Sequence, residues 1–143
     1  MNPQLKAAFA QMFGIDDGTY IVTADAARGE LRLGLTVTDA HINAASTLDE
    51  GVVATIADNH TSQLIAAHVA VVQPDQPLVS VSVSLSVHVA GRIQPGTDIA
   101  IILRAAAGEG QPGASATFCD ASDPRTVYAT ASHTKQPTGM GKL

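Results

Sequence analysis

Residues 79–89 read VSVSVSLSVHV. Eleven residues of unbroken alternation admit one local structure. At a period of two, Val79, Val81, Val83, Leu85, Val87 and Val89 fall on one face of a strand, and Ser80, Ser82, Ser84, Ser86 and His88 on the other. The chain must therefore build a sheet with one apolar face, and something has to cover that face. Three shorter strands follow, Ile99 to Ala106, Ala114 to Asp120 and Val127 to His133, set apart by the turns IQPGTD, GEGQPG and ASDPRT. Two more precede it, Thr19 to Ala26 and Glu30 to Val37, joined through ARGE as a hairpin. Before them, Leu5, Phe9, Met12 and Phe13 mark a short amphipathic helix between Pro3 and Gly14.

The cover is the one long helix, predicted from Leu48 to about Ala70. Val53, Ile56, Ala57, His60, Leu64 and Ala67 lie within about 40° of one line at about 100° per residue, which makes them the expected core stripe. The far flank carries Gly51, Ala54, Thr55, Asp58, Ser62 and Val69. Between Asn59 and Pro74 the sequence has no formally charged residue. A helix without a charged outer face is wrapped, either by a curved sheet or by another subunit. The order of elements makes one α+β domain over residues 1–143, a helix packed on an antiparallel sheet of about six strands.

Composition bears on function mainly by exclusion. Charged residues are 15% of the chain, low enough to suggest surface buried between subunits. A net charge of −5 argues against nucleic acid as a partner. No apolar run is long enough to span a membrane, and the N-terminus lacks the continuous apolar stretch of a signal peptide, so the expected setting is intracellular, cytoplasmic or mitochondrial. The single cysteine, Cys119, allows no internal disulfide and reads as a small buried hydrophobe. The histidines show no metal-ligand spacing, and no metal or separate cofactor is implied.

One residue resists a purely architectural reading. Asp58 is an acid inside the helix with no basic residue within helical reach. It either faces solvent or bonds a nearby hydroxyl such as Thr55 or Ser62, or it is held half-desolvated among Ala54, Ser62 and Ile65 as a general base or nucleophile.

The stretch Asn43 to Asn59, NAASTLDEGVVATIADN, resembles the core motif of the hotdog-fold acyl-CoA thioesterases of the phenylacetate-degradation type. Those enzymes read N-x-x-G-T-L-H-G-G and then a helix that carries a motif aspartate. The resemblance covers nearly the whole chain and implies a hotdog fold, a long central helix wrapped by a curved sheet. It implies roles as well. Asn43 matches the motif asparagine and Asp58 the catalytic aspartate. Ser82, counted back from Gly96 of the IQPG turn, matches a site serine, and the ending SHTKQ is similar to the His-Thr-Lys that closes the last strand. Asp49-Glu50-Gly51 stands where the family has His-Gly-Gly. The backbone donors of Glu50 and Gly51 would still polarise a thioester carbonyl, although the Glu50 charge weakens electrostatic stabilisation beside them. The same acids also suit a helix N-terminus.

Geometry adds a constraint. Asp58 lies roughly 10 Å along the helix from the Glu50 and Gly51 amides. A base must come within about 3 Å of the atom it serves. One chain cannot both hold a carbonyl at its helix start and attack it with its own Asp58. Two antiparallel copies can, with Asn43, Glu50 and Gly51 of one meeting Asp58 and Ser82 of the other. The resemblance implies the same homodimer, commonly paired into a tetramer. The expected reaction is acyl-CoA hydrolysis. Arg92 and Lys135 are the candidate cations for the CoA phosphates, and His41 a supporting residue beside the loop. A non-catalytic acyl binder, or a dehydratase or cyclase acting on a polyketide-like acyl chain, is the alternative that Asp49 and Glu50 leave open.

Overall fold

The computed structural model describes residues 17–75, 80–106 and 112–137. The expected N-terminal helix over Leu5 to Phe13 lies outside them. The strands are β1 (Tyr20–Asp25), β2 (Glu30–Thr36), β3 (Ser80–Val89), β4 (Asp98–Ala106), β5 (Gly113–Asp120) and β6 (Val127–Pro137). They form one sheet in the order β1-β2-β4-β5-β6-β3, every pairing antiparallel. The single long helix, α1 (Glu50–Val72), packs on β3, β4, β5 and β6. Among the described residues no helix is long and apolar enough to cross a membrane.

Leucine and isoleucine alternation sets the sheet register. Leu33 and Leu35 of β2 face Ile101 and Ile99 of β4, and Ile101 faces Phe118 of β5. These side chains close over Val53, Ile56, Ala57 and Leu64 of α1 in one core. Each large apolar side chain buried there contributes about 1.5–3 kcal/mol relative to exposure. On the outer face the Tyr20 ring lies across its register partner Gly34, and a Cβ at residue 34 would run into that ring.

Three sequence expectations are corrected. The core stripe of α1 is turned from the predicted line: Thr61, Ile65, His68 and Val69 are buried, whereas His60 and Ala67 are only partly covered. Buried polar side chains can lie there because each is satisfied. Thr61 Oγ1 donates to the Ala57 carbonyl, and His68 Nδ1 pairs with the Ala26 carbonyl at 2.6 Å. Second, β3 does not alternate throughout. A bulge between Ser82 and Ser84 breaks its pairing with β6, so that Ser82 and Leu85 both face the helix while Val81 and Val83 are more than half exposed. Third, β6 runs to Pro137 rather than stopping at His133, which draws Lys135 into the strand. Cys119 is fully buried, as expected.

Candidate active site

The expected site residues gather in two groups along α1. The first surrounds its start. Asp49 is the N-cap, and its carboxylate accepts from the Val52 amide at 3.1 Å. The amides of Glu50 and Gly51 are first-turn donors without an intrahelical acceptor, and both residues are exposed. Asn43 shapes the loop that leads in. Its Oδ1 accepts from the Ala45 and Thr47 amides at 3.0 and 3.1 Å, and its Nδ2 donates to Thr47 Oγ1 at 2.8 Å. Only one amide hydrogen remains for a ligand, so the side chain is chiefly a brace for the loop. His41 caps its own 3-10 turn, accepting from the Thr38 amide through Nδ1 at 2.9 Å.

A cavity of about 670 Å³ opens beside this helix start, lined by His41, Asp49, Gly51, Val52 and Thr55 among others. Asp17 lines it too and pairs with His60 Nε2 at 2.7 Å. Burial opposes the Asp17 charge. Hydrogen bonds from His60 and from the Thr19 hydroxyl and amide, together with the His60 charge, outweigh it and hold the carboxyl at about 2 against an ordinary 3.8. His60 is therefore a hydrogen-bond partner of Asp17 rather than the core residue expected.

The second group sits at mid-helix, against β3 and β6. Asp58 Oδ1 lies 3.6 Å from His133 Nε2, and the Asp58 side chain is 51% exposed while that of His133 is fully buried. The partly desolvated Asp58 expected from its neighbours thus has half its surface open in the single chain. Ser82 Oγ is 2.8 Å from the same His133 Nε2. On the other side of the ring, Thr61 Oγ1 is 2.7 Å from Nδ1. Burial first, and then the Lys135 charge, push the His133 pKa below its ordinary value, with Asp58 pulling the other way. The ring is neutral at neutral pH.

Asp58 and Ser82 therefore both meet His133, and Asn43 lies with Glu50 and Gly51, but the two groups are separated by roughly 10 Å along the helix. Arg92 is an exposed residue of the turn after β3. Lys135 departs from expectation. It is 8% exposed and its Nζ donates to Ser62 Oγ at 3.2 Å, so it belongs to the mid-helix group and not to a surface that meets phosphates. The sequence reading missed His133 as a site residue. The signal was present in β6, where Ala131, His133 and Lys135 share the inward face at period two.

Neither a family model nor a curated protein sequence matches the chain. Solved structures do. Thioesterase superfamily member 2 from Mus musculus superposes with a TM-score of 0.72 at 23% identity over 94% of this chain and 96% of that one. The E. coli PaaI protein from the phenylacetic acid degradation operon gives 0.67 at 14% identity over 96% and 91%. A hypothetical thioesterase from Streptococcus pneumoniae, solved with coenzyme A, gives 0.71 at 13% identity over 91% and 97%. The fold is the hotdog fold. In hotdog terms α1 is the central helix, the sheet wraps it, and β3 is an outer strand whose far edge pairs with no other strand among the described residues.

Proposed function

We propose that this hotdog protein hydrolyses an acyl-CoA thioester at a site built from two copies of the chain. The observation that carries the reading is the split between the two groups. One supplies unpaired backbone donors beside a cavity, the other a carboxylate and a hydroxyl, and neither is complete alone. An antiparallel second copy brings the helix start of one chain to Asp58 of the other. Support for that pairing comes from the edge of β3 that no described strand covers, from Val81 and Val83 exposed beside it, and from the absence of formally charged residues in α1 after Asp58. Pairing would also cover the exposed half of Asp58. The dimer would pair again into a tetramer.

The Glu50 and Gly51 amides polarise the thioester carbonyl, and the remaining amide hydrogen of Asn43 helps hold it. A water between Asp58 and Ser82 attacks the acyl carbon and gives a proton to Asp58. The carbon–sulfur bond then breaks, and the CoA thiolate takes that proton back. The products are the free acid and CoA, with no cofactor beyond the CoA moiety of the substrate. Arg92, at the exposed turn, is left as the cation for the CoA phosphates. A neighbour solved with coenzyme A supports the choice of carrier.

The test is a panel of acyl-CoAs varied in chain length and aryl character, followed by release of free thiol. Turnover by the protein that disappears in Asp58→Ala supports the proposal. Binding of acyl-CoA without turnover replaces it with an acyl binder, and loss or gain of water on an enoyl or hydroxyacyl substrate replaces it with a dehydratase.

A further inference from the structure

The mid-helix group contains a chain of hydrogen bonds whose direction is forced. The Thr61 hydroxyl has one proton. Its Oγ1 lies 2.5 Å from the Ala57 carbonyl, which can only accept. Thr61 is fully buried, so it has no water to use instead. Its proton is committed to Ala57, and toward His133 Nδ1, 2.7 Å away, it offers only a lone pair. Nδ1 must then carry the hydrogen. A neutral imidazole with Nδ1–H has a bare Nε2, and the Ser82 hydroxyl 2.8 Å from it has to donate.

We propose that Thr61 and His133 fix the polarity of Ser82, so that this hydroxyl meets the attacking water only as an acceptor. The inference rests on the hydrolytic reading for its catalytic meaning, though not for its geometry. A water held between Asp58 and Ser82 then finds two acceptors for its two protons. Its lone pair is left to face a carbonyl. With the hydrogen on Nε2 instead, the ring would donate to Ser82, and the serine proton would compete for Asp58 or be handed to the water. Thr61 and His133 are positioning residues, because neither touches the reacting atoms. The charged groups facing the ring are Asp58 from α1 and Lys135 from β6. Its register neighbours on β3 and β5, Leu85 and Ala114, carry no charge. Burial and Lys135 keep the ring from taking a second proton that would reverse Ser82.

Long-range proton–nitrogen correlation spectra of the histidine rings in the full-length, ligand-free protein read the tautomer directly. Wild type should show His133 with its hydrogen on Nδ1. Thr61→Val removes the acceptor at nearly constant volume and should move that hydrogen to Nε2. The same change should lower kcat roughly a hundredfold with little change in KM, the scale of a misplaced reacting group. Thr61→Ser should restore both. Should Thr61→Val fail to fold, Ser82→Ala at its exposed position serves instead, and must leave the hydrogen on Nδ1. An Nε2–H ring in wild type, a tautomer switch in Ser82→Ala, or unchanged spectra and kcat in Thr61→Val would overturn the proposal. A protein with the Nδ1–H ring and no turnover on any acyl-CoA retains the polarity and removes the hydrolytic reading.

Discussion

The two ends of the candidate site are built from different materials. At the helix start, the chemistry belongs to the backbone. Glu50 and Gly51 offer amides, Asp49 spends its carboxylate on a cap, and Asn43 spends most of its amide on a turn. At mid-helix the chemistry belongs to side chains, and it is anchored in the core through His133 and Thr61, both buried at 1% or less. A backbone donor tolerates a change of side chain, whereas a buried relay does not. The backbone donors of Glu50 and Gly51 are therefore kept although Asp49-Glu50 stands where related motifs have His-Gly.

The sharpest way to break the contrast is at its chemical centre. Asp58→Asn should cut kcat by about 10²–10⁴-fold, the contribution of a positioned base, while the fold is retained because the residue is half exposed. Thiol release measured under saturating acyl-CoA checks this; near-normal kcat would move the chemistry elsewhere. Asn43→Ala should act through the loop, leaving the Ala45 and Thr47 amides and the Thr47 hydroxyl short of partners at a cost of about 1–3 kcal/mol of stability. A lower denaturant midpoint would register the loss, and an unchanged midpoint would return Asn43 to a purely catalytic role.

Acid titration separates the two ends by pH. The folded Asp17 carboxyl, at about 2, lies below its unfolded value of 3.8. The unfolded chain therefore binds that proton first. Its contribution, about 2 kcal/mol, is complete above 3.8 and is lost as pH falls toward 2. The His133 pKa is also lowered in the folded state, from 6.5. Its contribution is complete above about 6.5 and declines as pH falls from there toward the lowered folded value. Stability followed by circular dichroism should thus weaken in two windows. Asp17→Asn removes the lower one, and a profile unchanged by that substitution would contradict the Asp17–His60 pairing.

Smaller effects sharpen the helix start. Asp49→Ala should cost about 1 kcal/mol, the usual loss of a cap, with kcat little altered because the Gly51 amide remains. Glu50→Gln should raise kcat/KM by a few fold at low ionic strength and by less at high salt, since it removes a screened charge beside a developing oxyanion. A fall in kcat/KM would show that the Glu50 side chain contributes something its amide does not.

Much of this architecture can be read from the residues. Alternation in Leu31, Leu33 and Leu35 and in β4 to β6 gives the strands, and the long run after Asp49 gives the helix. The uncharged stretch from Asn59 to Pro74 gives the reason to expect a cover beyond the sheet. What escapes is whatever depends on contact between distant segments. The rotation of the core stripe toward Thr61 and His68 requires knowing that an imidazole and two backbone carbonyls wait there. His60 finds Asp17 forty-three residues away. Lys135 is buried because β6 continues past His133 to pair with Ser80 and Ser82, and composition at that point, polar and unremarkable, gives no warning. Ser82 itself was identified from motif spacing, while the strand pattern alone would have turned it away from the helix.

That last point concerns the irregularity between Ser82 and Ser84. The repeated Val-Ser pairs of this segment would fit the neighbouring strand almost equally well if slid by two residues, so the composition cannot hold the register. A single surplus residue does so. Were Val83 paired in a straight ladder with Leu85 still opposite His133, Ser82 would fall opposite Gln136 and point to the far side of the sheet. The aim of this hydroxyl is therefore a matter of arithmetic in the chain, set by one residue left out of the ladder and largely indifferent to which small side chains surround it.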